Sequence, residues 1–296
     1  MCVSKLYKDN SKYVYQESMH LTGKFAKKKR LCNEFQVKNF GFNHNRVDQF
    51  YRSQWQSGES SWFYLIYRWI WMLCFAGVFL VCLSLQYSDG KYFIFMTNWG
   101  VMLGLLTQFV AAVLVTRWQF NINSLRANIC EMGAQGSPTT PLVKVYWLLH
   151  GVTMSVSLVI TTVYWSILHG KMNKPMRFPV LSFVTHCLNS VFMLIDFLMV
   201  GFPVRVLHTV YAMLLPIIYF SFTIVYFLCG GMDEYGNHYV YPILDWTSPM
   251  RGVITFAGVF TLYCIYAIVF YSIYKFKRFL HRSFSTIWSP HCVGLI

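Results

Sequence analysis

"WFYLIYRWIWMLCFAGVFLVCLSLQ", residues Trp62 to Gln86, carries one charge, Arg68, along its whole length. A run of about 20 apolar residues crosses the ~30 Å hydrocarbon layer as a helix. The apolar residues are continuous rather than alternating, which fits a helix that satisfies its own backbone and not a barrel strand. Five further runs follow, over residues 93–116, 143–168, 179–200, 207–229 and 252–274. Composition agrees: 56% hydrophobic, 19% aromatic and only 12% charged is far from an average soluble domain. The expected fold is all-α, a polytopic membrane protein with six transmembrane helices.

Basic residues set the expected orientation, because Lys and Arg near span ends resist translocation. Residues 1–60 hold eleven of them, including "KKKR" at Lys27–Arg30. Adding the even-numbered loops and the tail gives nineteen on one side against five on the other, with Arg68 inside the first span. Both termini are therefore expected in the cytosol, and the first span does the targeting, since the N-terminal block has no apolar core. The chain divides into a basic, mostly irregular segment over 1–60, a six-helix domain over 61–275, and a short basic tail over 276–296. The net charge of +14 is concentrated on cytosolic flanks. Its expected partner is the anionic surface of the lipid bilayer, and no nucleic acid is implied.

Nine cysteines are scattered without paired ligand spacing, so neither a disulfide framework nor a metal site is expected, and no cofactor motif is present. Most connections are short or rich in Gly, Ser and Pro. The fifth differs: "GGMDEYGNHYVYPILDW", Gly230–Trp246, lacks Lys and Arg and mixes aromatic with turn residues. It reads as an ordered outer cap around Asp233, Tyr235, Asn237, Asp245 and Trp246, with a protein partner as its expected contact.

Polar groups inside the spans identify the candidate site. In "HCLNSVFMLID", His186, Asn189, Met193 and Asp196 step by three, four and three, which on a helix makes one face. Charge and polarity at such depth are costly and look inward. "FMTNWG" in the second run supplies Thr97 and Asn98 at a depth that overlaps that of His186. A hydroxyl beside a neutral imidazole is a minimal nucleophile and base, with Thr97 and His186 in the catalytic roles. Asn98 or Asn189 would then support substrate or oxyanion. The plainer reading is interhelical hydrogen-bond glue. Near the inner ends, Arg68, His150, Asp196 and His208 form a candidate buried polar network, read first as a structural ion pair and second as part of a small transporter or channel.

These motifs carry a resemblance. "YRWIW" (Tyr67–Trp71), "FMTNWG", Tyr164–Trp165, "HCLNSVFMLID", "FPVRVLHTVY" and "GGMDEYGNHYVYPILDW" resemble the Rolling stone family of insect multi-pass membrane proteins over nearly all of residues 60–275. The resemblance implies a plasma-membrane protein acting in myoblast fusion during muscle development. A second, more distant resemblance is to the androgen-induced membrane hydrolases, through Thr97, His186 and "VYP" at Val240–Pro242, although the residues between Lys91 and Thr97 are spaced differently. It implies an intramembrane hydrolase of fatty acid esters that uses a Thr/His pair, with an acyl lipid as substrate.

Overall fold

The computed structural model describes residues 34–87, 90–134, 139–169 and 179–287. The Lys27–Arg30 run, Cys2, Cys32, the loop with Lys171, Lys174 and Arg177, and the last residues of the tail lie outside the described residues.

Among the described residues six helices are long and apolar enough to span a membrane: α1 Trp62–Gln86, α2 Met96–Ala134, α3 Pro141–Leu168, α4 Pro179–Met199, α5 Val206–Leu228 and α6 Pro249–Ile287. Their starts follow local chemistry. Ser61 caps α1 by accepting from the Tyr64 amide, and Thr140 caps α3 ahead of Pro141 by accepting from the Val143 amide. The apolar windows of α2 and α3 are 56% and 50% buried, against 11% for α1 and 22% for α6. α2 and α3 thus form the core, and α1 and α6 face mainly outward.

The sequence places the second and sixth spans' ends at 116 and 274, but α2 runs to Ala134 and α6 to Ile287. Past those points the residues turn polar without losing helix propensity, so the helices leave the apolar layer and continue. α2 bends at Asn121, whose φ of −129° and ψ of 33° are not helical.

Residues 34–60 are irregular apart from two short 3₁₀ turns, Val37–Phe40 and Val47–Phe50, yet they are not loose. Val47, Phe50 and Tyr51 are buried in one cluster with Val110, Trp118 and Trp147. Backbone groups are also claimed. Arg205 donates to the carbonyls of Gly41 and Asn43, and Tyr211 to that of Phe40. "FPVRVLHTVY" therefore acts as a clamp on this segment. Ser53, Gln54 and Trp55 donate to the carbonyls of Met199 and Leu198, and Lys277 Nζ donates to those of Phe197 and Val200 at 2.8 and 2.6 Å. The open carbonyl end of α4 is closed by two other parts of the chain.

At the opposite end, which the charge bias assigns to the outside, residues 229–248 form the cap. Gly230 and Gly236 take positive φ, +74° and +81°, which a side chain would resist.

Candidate functional site

Two helices lose their α register in the same layer. Tyr164–Leu168 at the end of α3 and Val184–Leu188 within α4 are π-helical turns, a local widening that recurs at functional sites. They put Tyr164 and His186 ring on ring, with centroids 3.6 Å apart and planes 1° from parallel. The Tyr164 hydroxyl bonds the Ser182 hydroxyl at 2.7 Å, which fixes the tyrosine from the α4 side.

Against this half-buried imidazole comes Thr97, the second residue of α2 and only 7% exposed. Its Oγ1 lies 3.5 Å from His186 Nδ1, the outer limit of hydrogen bonding. The pair opens on a cavity with about 600 Å³ of empty space, counting its mouth. Val156, Val159, Val163, Pro216, Phe220 and Val259 supply apolar walls, and no lining side chain is charged. Pro216 interrupts the hydrogen-bond ladder of α5 where it meets this space.

The two asparagines fall elsewhere. Asn98 Nδ2 donates to the carbonyl of Tyr92 at 2.7 Å and is consumed by the turn that starts α2. Asn189 lines a separate, smaller space with Phe75, Val101 and Phe192. Its amide oxygen and nitrogen have no hydrogen-bond partner among the described residues. The cause is the π turn: the extra residue per turn rotates His186 relative to Asn189, so the single face read from α spacing is split between two cavities.

Sequence reading did not single out Tyr164 or Tyr241 as site residues. Tyr241, inside the "VYP" element of the outer loop, lines the same cavity as Thr97 and His186. Its phenol lies close to Thr97, to the backbone of Met96 and to Tyr219. Burial pushes that phenol above the ordinary tyrosine range. The Tyr219 hydroxyl donates to the carbonyl of Ile94 at 2.9 Å.

The inner polar network assembles around Asp196 and Arg68, both fully buried. Arg68 donates to Asp196 Oδ1 at 2.5 Å, to Tyr64 and Tyr146, and to Gln108. Tyr67 and Gln108 donate to Asp196 at 3.1 and 3.2 Å. His150 Nε2 stands 3.2 Å from Asp196 Oδ2, near enough for electrostatic support but off the line of a hydrogen bond. His208 is not a member. Its Nε2 meets the carbonyl of Gly41 at 3.1 Å, and its ring packs on Phe42 and Trp147, so it belongs to the clamp on the N-terminal segment.

In the outer cap Asp233 organises its own loop. Its carboxylate accepts from the amides of Tyr235 and Asn237 and from the Asn237 side chain, all at 2.8 Å, while Lys91 donates to its carbonyl. Asp245 accepts from the Thr247 amide and hydroxyl. Trp246 donates to Thr223 and covers Gly252, where even a methyl group would collide with the indole. Four of the five cap residues thus shape the loop, and Tyr235, 62% exposed, points outward.

Among the described residues no group of three or more His, Cys, Asp and Glu side chains could hold a metal ion.

Comparison with known proteins gives a consistent result. Residues 19–296 match the family described as Protein rolling stone. A protein of that name from Drosophila melanogaster is 54% identical over 268 residues, covering 90% of this chain and 97% of the relative. No solved structure matches.

Proposed function

The chain belongs to the Rolling stone family of multi-pass membrane proteins, and from that premise we propose that it acts at the plasma membrane in myoblast fusion during muscle development. The chemical act that the geometry supports best is hydrolysis of an acyl-lipid ester within the outer part of the bilayer. One observation carries it: a hydroxyl and an imidazole nitrogen 3.5 Å apart, on two different helices, at the polar end of an uncharged cavity.

Thr97 is the nucleophile and His186 the base. The imidazole is held in its plane by Tyr164, and among the described residues no carboxylate contacts it, so it accepts a proton as the neutral ring. The apolar walls take an acyl chain and keep bulk water from the reacting carbonyl. Such a reaction fits a fusion role, because releasing acyl chains changes the shape and packing of the outer leaflet. Contact with a partner cell through the exposed Tyr235 is the second reading, favoured by a cap in which Asp233, Asn237 and Asp245 hold the loop in shape around that ring. The buried charges provide no comparable support for transport, since Arg68 and Asp196 are consumed by each other and by the surrounding hydroxyls and amide.

Rescue of fusion in cells lacking the protein separates the two. Thr97→Ala is expected to fail and Tyr235→Ala to succeed if the enzyme reading holds. The reverse pattern transfers the function to the cap. Purified protein should also turn over a neutral acyl ester, and Thr97→Ala should not.

A further inference from the structure

Acyl transfer at Thr97 requires a hydrogen-bond donor where negative charge builds on the carbonyl oxygen. The asparagines nominated by spacing do not provide it, since Asn98 is tied to Tyr92 and Asn189 faces the other cavity. Within the main cavity the hydroxyls are those of Thr97, Tyr164, Tyr219, Tyr241, Thr255 and Tyr263. Tyr164 is engaged with Ser182, Tyr219 donates to the carbonyl of Ile94, and Thr255 donates to that of Ile243. Tyr263 rises from α6, whereas Tyr241 lines the cavity beside Thr97 and packs on Phe95, two residues before it.

The position of Tyr241 is built. Its ring packs at 5.8 Å against Phe95, the residue before α2, and lies 6.5 Å from the Tyr219 ring. Pro242 follows at once and opens a 3₁₀ turn, Pro242–Leu244. Leu244 is buried in the core cluster below. The outer loop therefore carries this phenol down to the first turn of α2 and anchors it there.

Resting on the reading of the cavity as a lipid-ester site, we propose that Tyr241 is a catalytic residue whose O–H donates to the acyl oxygen as Thr97 attacks. Thr97 Oγ1 forms a bond to the acyl carbon, and its proton passes to His186 Nδ1. The carbonyl π pair moves onto oxygen, where Tyr241 donates to it. When that pair returns, the ester C–O bond breaks and the departing alcohol oxygen takes the proton from His186. Water repeats the sequence, losing its proton to His186, and releases the fatty acid from Thr97, whose oxygen regains the proton. The substrate class is a neutral ester whose acyl chain lies among the aliphatic walls, since no charged side chain lines the space to meet an ionic headgroup. A phenol kept protonated by burial suits the role, because only the O–H form donates.

The test uses the full chain in detergent and an alkyl fluorophosphonate as probe, with the labelling rate as readout. Wild type should label, Thr97→Ala should not, and Tyr241→Phe should label ~10²-fold more slowly. Tyr226→Phe, which removes an outer hydroxyl bound to the Met232 carbonyl, should label at the wild-type rate. Labelling of Tyr241→Phe as fast as wild type, with Thr97→Ala silent, overturns the role of Tyr241 and leaves the ester reading standing. Labelling of Thr97→Ala, or no labelling of wild type, overturns both. Should Tyr241→Phe melt early, 3-fluorotyrosine at position 241 keeps the shape and acidifies the phenol. The alkaline loss of labelling should then begin at lower pH, and an unchanged pH profile overturns the proposal.

Discussion

The imidazole of His186 lies flat on the ring of Tyr164, 3.6 Å away and within 1° of parallel. Both residues sit in π-helical turns, so two departures from regular helix hold one base in one orientation. A base that drifts by even ~1 Å loses much of its effect on a neighbouring nucleophile. Replacing Tyr164 by Leu should slow probe labelling of Thr97 by ~10- to 100-fold with little change in melting temperature. Tyr164→Phe should recover most of the rate, because the ring and not the hydroxyl does the positioning. Equal rates for the two variants would show that stacking is incidental.

Asp196 and Arg68 are both completely buried, and neither has water to fall back on. Removing one partner leaves the other charge uncompensated, at a cost of about 3–5 kcal/mol. Arg68→Met and Asp196→Leu should each lower the melting temperature sharply and reduce yield from membranes. The double variant should regain part of the loss. A double variant less stable than either single one would mean that the surrounding tyrosines and Gln108, rather than the pair, determine the cost.

Asn189 gives a prediction of the opposite sign. Both its amide atoms are buried without a partner among the described residues, and such a group costs about 1–3 kcal/mol. Asn189→Leu, which keeps the branched shape and extends into the adjoining space, should therefore be neutral or stabilising by roughly 1 kcal/mol and leave labelling unchanged. A fall in labelling of tenfold or more would return Asn189 to the reacting site.

The N-terminal segment should loosen in acid. His44 is half-buried, with its ring against Gln49 and its amide on Thr139. Burial holds its pKa below 6.5, aided by Arg205 and Arg278 and opposed by the Gln49 bond and Asp48. A folded-state pKa below the unfolded one means that its contribution is complete above pH 6.5. That contribution declines as pH falls from 6.5 toward the depressed value. Hydrogen-exchange protection factors at the amides of 44–51, taken against the intrinsic exchange rate at each pH, should fall between pH 7 and 5, and His44→Gln should flatten that response. Protection factors in the wild type independent of pH would remove His44 as the cause.

The six spans were legible because a continuous apolar run of membrane length has few alternatives. Helix ends were less so: α2 and α6 outlast their apolar stretches, since the polar extensions hold no proline or glycine near their start, and α2 continues past its bend at Asn121. Order in residues 34–60 escaped notice because it depends on distant groups, such as Arg205 and Lys277, that claim carbonyls no local pattern reveals. His186 is legible from a polar helical face, Thr97 from its matching depth and both from the more distant resemblance, and the structure places the two side by side. Asn189 was assigned to their face on the assumption of 3.6 residues per turn, and a π turn broke that spacing. His208 looked like a partner for Asp196 by depth, but its ring serves the clamp instead. Tyr241 stood in a quoted motif, yet only the folded loop shows that it descends to Thr97.

The central claim is that Thr97 and His186 form a working nucleophile and base. Activity-probe labelling of membranes carrying the wild-type chain, and of membranes carrying its Thr97→Ala form, tests this most directly. The account predicts a labelled band for the wild type that is absent from Thr97→Ala; bands of equal intensity would contradict it.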